Sequence, residues 1–258
     1  MNSVKVSLSS DLKKIDIYPF SDWHIGDKHC DTKAINDLVA RVADIPSAYI
    51  ICMGDLINNA TKSSVSDSYS EVIPPDQQVK LVTSILEPVK DRILLMVGGN
   101  HEDRTFRESG IDLTDVVAYN LGLSDRYAKE AGLLFLRFGK GAGHSSNRKM
   151  TYTIYVTHGA GGGRKEGSKI NNCADMAMIV DADIYIHAHT HLPAVFKTGF
   201  FRPDYRRSSV ASYDKLFING SSKLSYGGYG EKKGFRPMSQ ADPVIHLYSG
   251  ERFFTGEV

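Results

Sequence analysis

The chain has 258 residues, of which 41% are hydrophobic, so it is long enough to build a sizeable core and its composition excludes a disordered protein. Lys and Arg number 31 and Asp and Glu number 30, and the net charge of +1 excludes bulk positive charge as a means of attracting nucleic acid. The charges are unevenly distributed, with 15 basic and 20 acidic groups in residues 1–138 but 16 and 10 in residues 139–258, so the second half is mildly basic.

Cysteine usage and the N-terminus bear on the cellular compartment. Cys30, Cys52 and Cys173 are odd in number, lie far apart and form no CxxC pair, which favours a reducing compartment over a disulfide framework. Residues 1–14 lack the apolar core of a signal peptide, and no run approaches 18 apolar residues. We therefore expect a cytoplasmic protein that does not contact a membrane.

In the first half of the chain, short apolar runs alternate with longer helical patterns. The run at 48–53 is almost continuously apolar, which is typical of a strand covered on both faces. Pro75 and Asp76 open one helical pattern, and Asp31 or Thr32 is placed to cap another. The predicted strands are 15–20, 48–53 and 92–99, and the predicted helices are 32–45, 76–89 and 112–121.

The second half is richer in strands and contains one helical pattern, at 171–182. Two stretches rich in Gly, Ser and Tyr, at 139–148 and 221–230, are loop candidates. Because no repeat or low-complexity linker interrupts the chain, we expect one domain over residues 1–258, with two packed sheets flanked by helices. The predicted strands of this half are 133–139, 150–159, 183–189, 194–201, 214–220 and 243–254.

Polar side chains of the kinds that bind metal ions follow five of the predicted strands. Rigid sheets commonly present functional groups on the loops at their strand ends. Two adjacent divalent ions need about this many nitrogen and oxygen ligands, including a shared carboxylate, and no thiolate is placed for a structural zinc site. The residues are Asp22, His24, Asp55, Asn100, His101, His158, His189 and His191.

Each piece of this pattern has an ordinary alternative. Gly-Asp and Gly-Gly-Asn-His after a strand are also common turn sequences. His189 and His191 are spaced to face the same side of an extended segment, but His187 shares that spacing and is equally consistent with a plain strand residue. It is the occurrence of all the pieces in order, each at a strand end, that favours a metal centre.

In this order the motifs resemble those of the calcineurin-like metallophosphoesterases. The family signature is Asp-x-His, Gly-Asp, Gly-Asn-His-Glu/Asp, His and Gly-His-x-His, and it matches this chain from residue 22 to residue 191. The one departure is Ala188, a small residue in the place of the usual glycine. The matching segments are Asp22-Trp23-His24, Gly54-Asp55, Gly99-Asn100-His101-Glu102, His158 and Ala188-His189-Thr190-His191.

The resemblance implies an α/β fold, a four-layer α/β/β/α sandwich of two mixed sheets flanked by helices. It also implies two metal sites that share Asp55. His101 would lie outside the metal shell and would hydrogen-bond the phosphoryl oxygens or protonate the leaving oxygen. One metal would take Asp22, His24 and His191, and the other would take Asn100, His158 and His189.

The implied reaction is in-line attack on a phosphate ester by a hydroxide that bridges two divalent transition-metal ions. Manganese is the expected metal, and iron, zinc, nickel or cobalt are alternatives because sites of His, Asp and Asn accept all of them. The implied activity is that of a hydrolase acting on phosphate ester bonds.

Several basic residues near these motifs are candidates for substrate binding. Arg104 follows His101 by three residues, and Arg164 and Lys165 follow the glycine-rich stretch 159–163. Backbone amides of such a loop and its basic side chains can meet phosphate, and a surface role is the alternative for all three.

Two segments, 200–209 and 225–237, interleave aromatic and basic residues. This composition suits single-stranded nucleic acid, which combines base stacking with backbone charge, although ordinary hairpin surface is the interpretation we favour slightly.

The family acts on many phosphate esters, so the fold does not select the substrate. The compact chain and its basic second half resemble single-domain bacterial and phage members, including nucleases. We therefore expect a phosphodiesterase acting on DNA, RNA or a nucleotide. The alternatives are a phosphomonoesterase or protein phosphatase, or a non-catalytic protein-binding scaffold of the same fold, although a scaffold would be expected to lose metal ligands and this chain retains them.

Overall fold

The computed structural model describes residues 2–62, 64, 68–141 and 148–258. Most of the loop predicted at 139–148 therefore lies outside the described residues. Within them, the chain forms two six-stranded sheets that pack face to face.

The first sheet contains the strands of the N-terminal half and the last two strands of the chain. Its central strands run parallel, and the strand next to the C-terminal hairpin is joined to that hairpin in antiparallel fashion. In spatial order the strands are β12 (Phe254–Glu257), β11 (Val244–Tyr248), β2 (Lys14–Phe20), β3 (Ala48–Cys52), β4 (Ile93–Val97) and β5 (Tyr127–Ala128).

The second sheet is also mixed. Its two central strands are parallel to each other, and a long antiparallel hairpin forms one edge. In spatial order the strands are β1 (Asn2–Ser7), β6 (Ala131–Phe138), β7 (Met150–Thr157), β8 (Ile184–His187), β10 (Ser209–Asn219) and β9 (Ala194–Asp204).

Six α-helices are described, and each of the longer ones has an amphipathic pattern or a capping residue that accounts for it. Asp31 caps the first helix, where its carboxylate accepts a hydrogen bond from the Ala34 amide at 2.9 Å. The helices are α1 (Thr32–Asp44), α2 (Pro75–Leu86), α3 (Glu102–Ser109), α4 (Leu113–Asn120), α5 (Glu166–Ala174) and α6 (Gly228–Lys232).

Apolar side chains are sorted into three clusters that define four layers. Between the sheets, Ile51 of β3 belongs to the same fully buried cluster as Ile154 of β7 and Ile186 of β8. Helices α1, α2 and α4 cover the outer face of the first sheet. Helix α5 covers the outer face of the second sheet, where Cys173 packs in a cluster with Tyr185. This arrangement confirms the α/β, four-layer α/β/β/α sandwich with two mixed sheets.

The structure differs from the sequence predictions in several elements. The helix predicted at 171–182 begins earlier, and a 3₁₀ turn at Asp175–Met178 replaces its second half. The strand predicted at 243–254 is a hairpin, β11 and β12. Strand β1 was not predicted because it buries only Val4 and Val6 and borders the sheet, which leaves too weak an apolar signal.

Among the described residues, no helix has both the length and the apolar sequence that crossing a bilayer would require.

Candidate metal centre

The loops after five parallel strands converge at one edge of the sandwich. Hydrogen bonds join the loops of the two sheets there: the His158 ring donates from Nδ1 to the Met53 carbonyl at 2.7 Å, and the His189 amide donates to Asp22 at 3.2 Å. Asp22, His24, Asp55 and His158 are all at most 3% exposed. The predicted ligands, which are far apart in sequence, are therefore close together and largely withdrawn from solvent.

Left-handed backbone conformations turn these side chains toward one another. Among the described residues other than glycine, seven have positive φ angles, and five of them are predicted metal ligands. Such a conformation costs on the order of 1 kcal/mol per residue and persists where the surroundings impose it, often at functional sites. The five are Asp22, His24, Asp55, His189 and His191, with φ angles of 50°, 50°, 50°, 65° and 57°.

Two glycines allow the loops after β3 and β4 to touch. Gly54 has a φ of +80°, and a Cβ added to it would lie 2.3 Å from the Gly99 nitrogen. A Cβ on Gly99 would lie 2.2 Å from Oδ1 of Asp55. Neither position can carry a side chain, which explains physically why a glycine precedes Asp55 and another precedes Asn100.

One group of donor atoms combines Asp22, His24 and His191. Nε2 of His191 lies 3.1 Å from Oδ1 of Asp22 and 3.3 Å from Nε2 of His24. Among the described residues, no hydrogen-bond donor satisfies the buried Oδ1 of Asp22. A buried, unsatisfied carboxylate oxygen facing two imidazole nitrogens fits a divalent cation.

A second group combines Asp55, His158 and His189, whose donor atoms lie within 4.8 Å of one another. The bond to Met53 occupies the Nδ1 proton of His158, so Nε2 of the neutral ring carries a lone pair. That lone pair faces Oδ2 of Asp55 at 3.2 Å and Oδ1 of Asn100 at 3.0 Å. Three acceptors converge, and either an extra proton or a cation must lie among them.

The pKa values of the carboxyl and imidazole groups also favour a bound cation. Burial raises the pKa of the Asp22 carboxyl, but attraction to His191 and His158 outweighs it and lowers the pKa to about 2. Burial opposes protonation of His158, yet attraction to Asp55 and Asp22 raises its pKa to about 10. With protein groups alone, the site draws a proton onto His158, as expected where negative charge is arranged for a cation.

His101 lies beside both groups and forms a third, with His24 and Asp55. Its Nδ1 proton is donated to the Asn58 carbonyl at 2.6 Å, and its Nε2 accepts a hydrogen bond from Nη2 of Arg104 at 2.9 Å. Burial and, to a smaller extent, the Arg104 guanidinium lower the pKa of His101 against the attraction of Asp55. The ring is therefore oriented by its own hydrogen bonds, with Nε2 and Arg104 adjacent.

Glu102 fixes the loop that carries Asp55. Its buried carboxylate accepts backbone hydrogen bonds from Asp55 at 2.9 Å, Leu56 at 2.8 Å, Ile57 at 3.3 Å and Gly99 at 3.1 Å. Burial and repulsion by Asp55 raise its pKa to about 7, although these amides favour the ionised form. One side chain thus ties together the loops that follow β3 and β4.

A cavity of about 740 Å³ is lined by five of the predicted metal ligands, His24, Asp55, Asn100, His189 and His191. Arg104 and Arg164, two of the three predicted substrate-binding residues, line it, whereas Lys165 does not and instead precedes α5. Lys169, which sequence analysis did not select, also lines the cavity and donates to the Thr190 carbonyl at 2.9 Å. The sequence would have indicated that Lys169 lies at the cavity only if the start of α5 had been predicted correctly.

His187 and Trp23 lie near the centre but serve the packing of the fold. Nδ1 of His187 is 2.8 Å from Oδ1 of Asn219, inside β8 and β10, as expected of a strand residue. Trp23 is fully buried against Phe20, with ring centroids 5.2 Å apart.

We predict that Glu102→Gln destabilises the fold by about 1–3 kcal/mol, because an amide group would face backbone donors that now meet a carboxylate. The variant should also bind less metal, since the Asp55 loop is then less fixed. Chemical denaturation and metal analysis of the purified protein measure both effects. Asp103→Asn is the matched control, because Asp103 pairs at the surface with Arg107, and a loss as large in this control would contradict the assignment.

Comparison with known proteins gives one family match. The family described as calcineurin-like phosphoesterase matches residues 20–193. A search of curated proteins gives no match.

Solved structures with similar folds have low sequence identity. Vps29 from Chaetomium thermophilum is 13% identical, with 94% of this chain and 96% of that chain covered and a TM-score of 0.43. A conserved uncharacterised protein, a predicted phosphoesterase from Streptococcus pneumoniae TIGR4, is 14% identical, with coverages of 92% and 84% and a TM-score of 0.38. The nuclease MPE of Pseudomonas putida is 12% identical, with coverages of 93% and 87% and a TM-score of 0.38.

Since the family match spans 174 of the 258 residues, from 20 to 193, and contains every one of the converging side chains, the chain belongs to the calcineurin-like phosphoesterase family.

Proposed function

We propose that the chain is a dinuclear, metal-dependent phosphodiesterase that acts on a nucleic acid or a nucleotide. One observation carries this proposal. Three overlapping groups of donor atoms, linked through His24 and Asp55, lie beside a cavity that five cationic side chains line. A phosphate ester in that cavity would lie between metal ions below and cationic side chains around it.

The donor set supports two divalent ions with Asp55 between them. Only nitrogen and oxygen donors are present, which suits manganese first and also iron, zinc, nickel or cobalt. When bound, such ions would make a water molecule acidic and neutralise charge on the phosphoryl oxygens. One site would use Asp22, His24 and His191, and the other would use Asn100, His158 and His189.

His101 and Arg104 are proposed to act on the substrate rather than on the metals. The bond from Nδ1 of His101 to Asn58 fixes the ring, so that Nε2 is the atom that exchanges protons. With substrate bound, the Arg104 guanidinium would turn from Nε2 to a phosphoryl oxygen, and the freed Nε2 would take up a proton and hydrogen-bond a phosphoryl oxygen or protonate the leaving oxygen. Arg164, which also lines the cavity, would contact a phosphate further along the substrate, and Lys165, the next residue in the chain, would add positive charge beside it.

The charge of the surroundings favours a polyanionic substrate on one side of the centre. Five cationic side chains line the 740 Å³ cavity, whereas Asp27 is its one carboxylate apart from Asp55. A second cavity of about 640 Å³ reaches Asn100 and His158, and five acidic but only two basic side chains line it. Phosphates would therefore approach through the basic cavity. Its cationic residues are Arg104, Arg164, Lys169, Lys233 and Arg236.

We infer in the same way that the chain is a single domain working in a reducing compartment such as the cytoplasm. All three cysteines are free thiols, and Cys52 and Cys173 are buried. A chain without disulfides gains no stability from an oxidising compartment.

We predict that Asp55→Asn lowers the metal content of both sites, because an amide cannot readily supply two anionic oxygens to two cations. Elemental analysis after loading with manganese should fall from about two ions per chain toward one or none. Asp27→Asn is the matched control, because Asp27 lines the same cavity and its Oδ1 accepts from the His29 amide, which an asparagine oxygen can also do. Full retention of both ions by Asp55→Asn would contradict the shared position.

We predict that His101→Ala lowers kcat on bis-p-nitrophenyl phosphate by about 10²–10⁴-fold while both metals stay bound. Loss of a metal from this variant would place His101 among the ligands, in the group it forms with His24 and Asp55.

The proposed activity is tested on a substrate panel with added manganese: phosphate mono- and diesters, cyclic nucleotides, single- and double-stranded DNA, and RNA. Cleavage of nucleotide diesters that is lost with chelator and restored by metal is the expected result. Full activity after chelation would refute the proposal. Preference for a monoester or a phosphopeptide would instead support a phosphomonoesterase or protein phosphatase, and inactivity on all substrates would support a binding scaffold.

A further inference from the structure

The two segments that interleave aromatic and basic residues occupy different ends of the molecule. Segment 200–209 forms the tip of the β9–β10 hairpin, whose ladder runs from Ala194 opposite Asn219 to Asp204 opposite Ser209. Asn219 contacts the His187 ring near the metal centre, so ten residue steps of about 3.3 Å place the tip roughly 30 Å from it. Segment 200–209 is thus too far away to contact a substrate at the centre.

Segment 225–237, in contrast, forms a wall of the substrate cavity. Tyr226, Lys233, Phe235 and Arg236 line the same 740 Å³ space as His101. Tyr226 is 51% exposed and Phe235 is 41% exposed. Two large aromatic side chains are therefore open to solvent in the same cavity as the predicted metal ligands, where they can contact a bound molecule.

Several contacts fix this wall relative to the loop after His158. Nη1 of Arg236 pairs with Oε1 of Glu166 at 2.9 Å, and Nη2 of Arg164 donates to the Lys233 carbonyl at 3.3 Å. At the other end, the Gln240 side chain donates to the Leu224 carbonyl at 2.8 Å. The aromatic rings are presented by a segment that is tied at both sides of the cavity, rather than by a free loop.

We propose that segment 225–237 is a nucleobase-binding wall, in which Tyr226 and Phe235 contact the unpaired base of a nucleotide whose phosphate lies at the metal centre. Lys233 and Arg236 contact the phosphates beside it. The inference rests on the proposed function and deepens it, because it names a nucleoside phosphate unit with an exposed base as the substrate class. This unit occurs in a free nucleotide and in single-stranded nucleic acid.

The chemistry of the wall explains the preference for an unpaired base. Aromatic side chains stack on the faces of bases, and in a duplex those faces are covered by neighbouring base pairs. Arginine and lysine beside the rings supply the matching charge for the phosphates, as single-stranded nucleic acid sites require. The cavity volume also falls within the range of about 300–1,000 Å³ that encloses small ligands.

Binding to the manganese-loaded protein tests the base contact without turnover. Adenosine 5′-monophosphate should bind at least tenfold more tightly than ribose 5-phosphate, which has the same phosphate and sugar but no base. Phe235→Ala and Tyr226→Ala should each reduce or abolish this preference and leave the affinity for ribose 5-phosphate unchanged. Phe235→Trp should retain the preference, which separates loss of stacking from loss of folding.

Tyr205→Ala is the matched control, because Tyr205 is 90% exposed and belongs to the distant hairpin tip. It should change neither affinity. Equal binding of the two phosphates by the wild type, or an equal loss of both in Phe235→Ala with metal content intact, would overturn the inference.

Cleavage measurements separate the two sources of the ligand and the two proposals. A single-stranded oligonucleotide should be cleaved more efficiently than the same strand with an abasic residue at the cleavage position, and more efficiently than the duplex. If free dinucleotides are cleaved and oligonucleotides are not, the ligand is a nucleotide. If no phosphodiester is cleaved but binding still depends on the base, the proposed activity fails and the base-binding wall stands.

Discussion

The structure depends on keeping two carboxylates, Asp22 and Asp55, buried a short distance apart in an apolar sandwich. Isolated buried charges are costly, and among the protein groups His158, whose pKa is raised by the two carboxylates, supplies the proton that partly compensates them. The unsatisfied Oδ1 of Asp22 and the facing acceptors around Nε2 of His158 show that the compensation is incomplete. Two bound cations would complete this charge compensation. Metal coordination, rather than packing, would then offset the cost of the left-handed backbone at the predicted ligands.

The same requirement accounts for residues that never face the centre. The loops after β3 and β4 can approach only because Gly54 and Gly99 lack side chains, and they stay together because Glu102 accepts their amides. Because α3 begins at Glu102, directly after His101, the first residue of this helix also holds the two loops together.

The sequence was sufficient to predict two packed sheets and polar residues at their strand ends from the apolar pattern, and the resemblance to a family supplied the four-layer sandwich and the ligand set. It was not sufficient for features that depend on three-dimensional contacts. Glu102 was quoted as part of a motif but its role was not predicted, since its partners are backbone amides that have no sequence signature. The cavity position of Lys169 depended on where α5 begins, and the border strand β1 buries too few side chains to be recognised.

Under the proposed function, the asymmetry of charge around the centre would determine how a long substrate lies. The two cavities share Asn100, and acidic side chains outnumber basic ones in the second, so a chain crossing both would pass from a more favourable into a less favourable potential. A polyanion gains most by keeping its phosphates on the side of Arg164 and Lys169 and by placing the scissile phosphate at the boundary. Segment 225–237 borders this basic side, and under the proposed function its rings would meet the base next to the boundary rather than one deep in a continuous duplex. The arrangement would then favour a strand end or a small nucleotide over the middle of a long polymer, because only those substrates would leave the second cavity empty of phosphate.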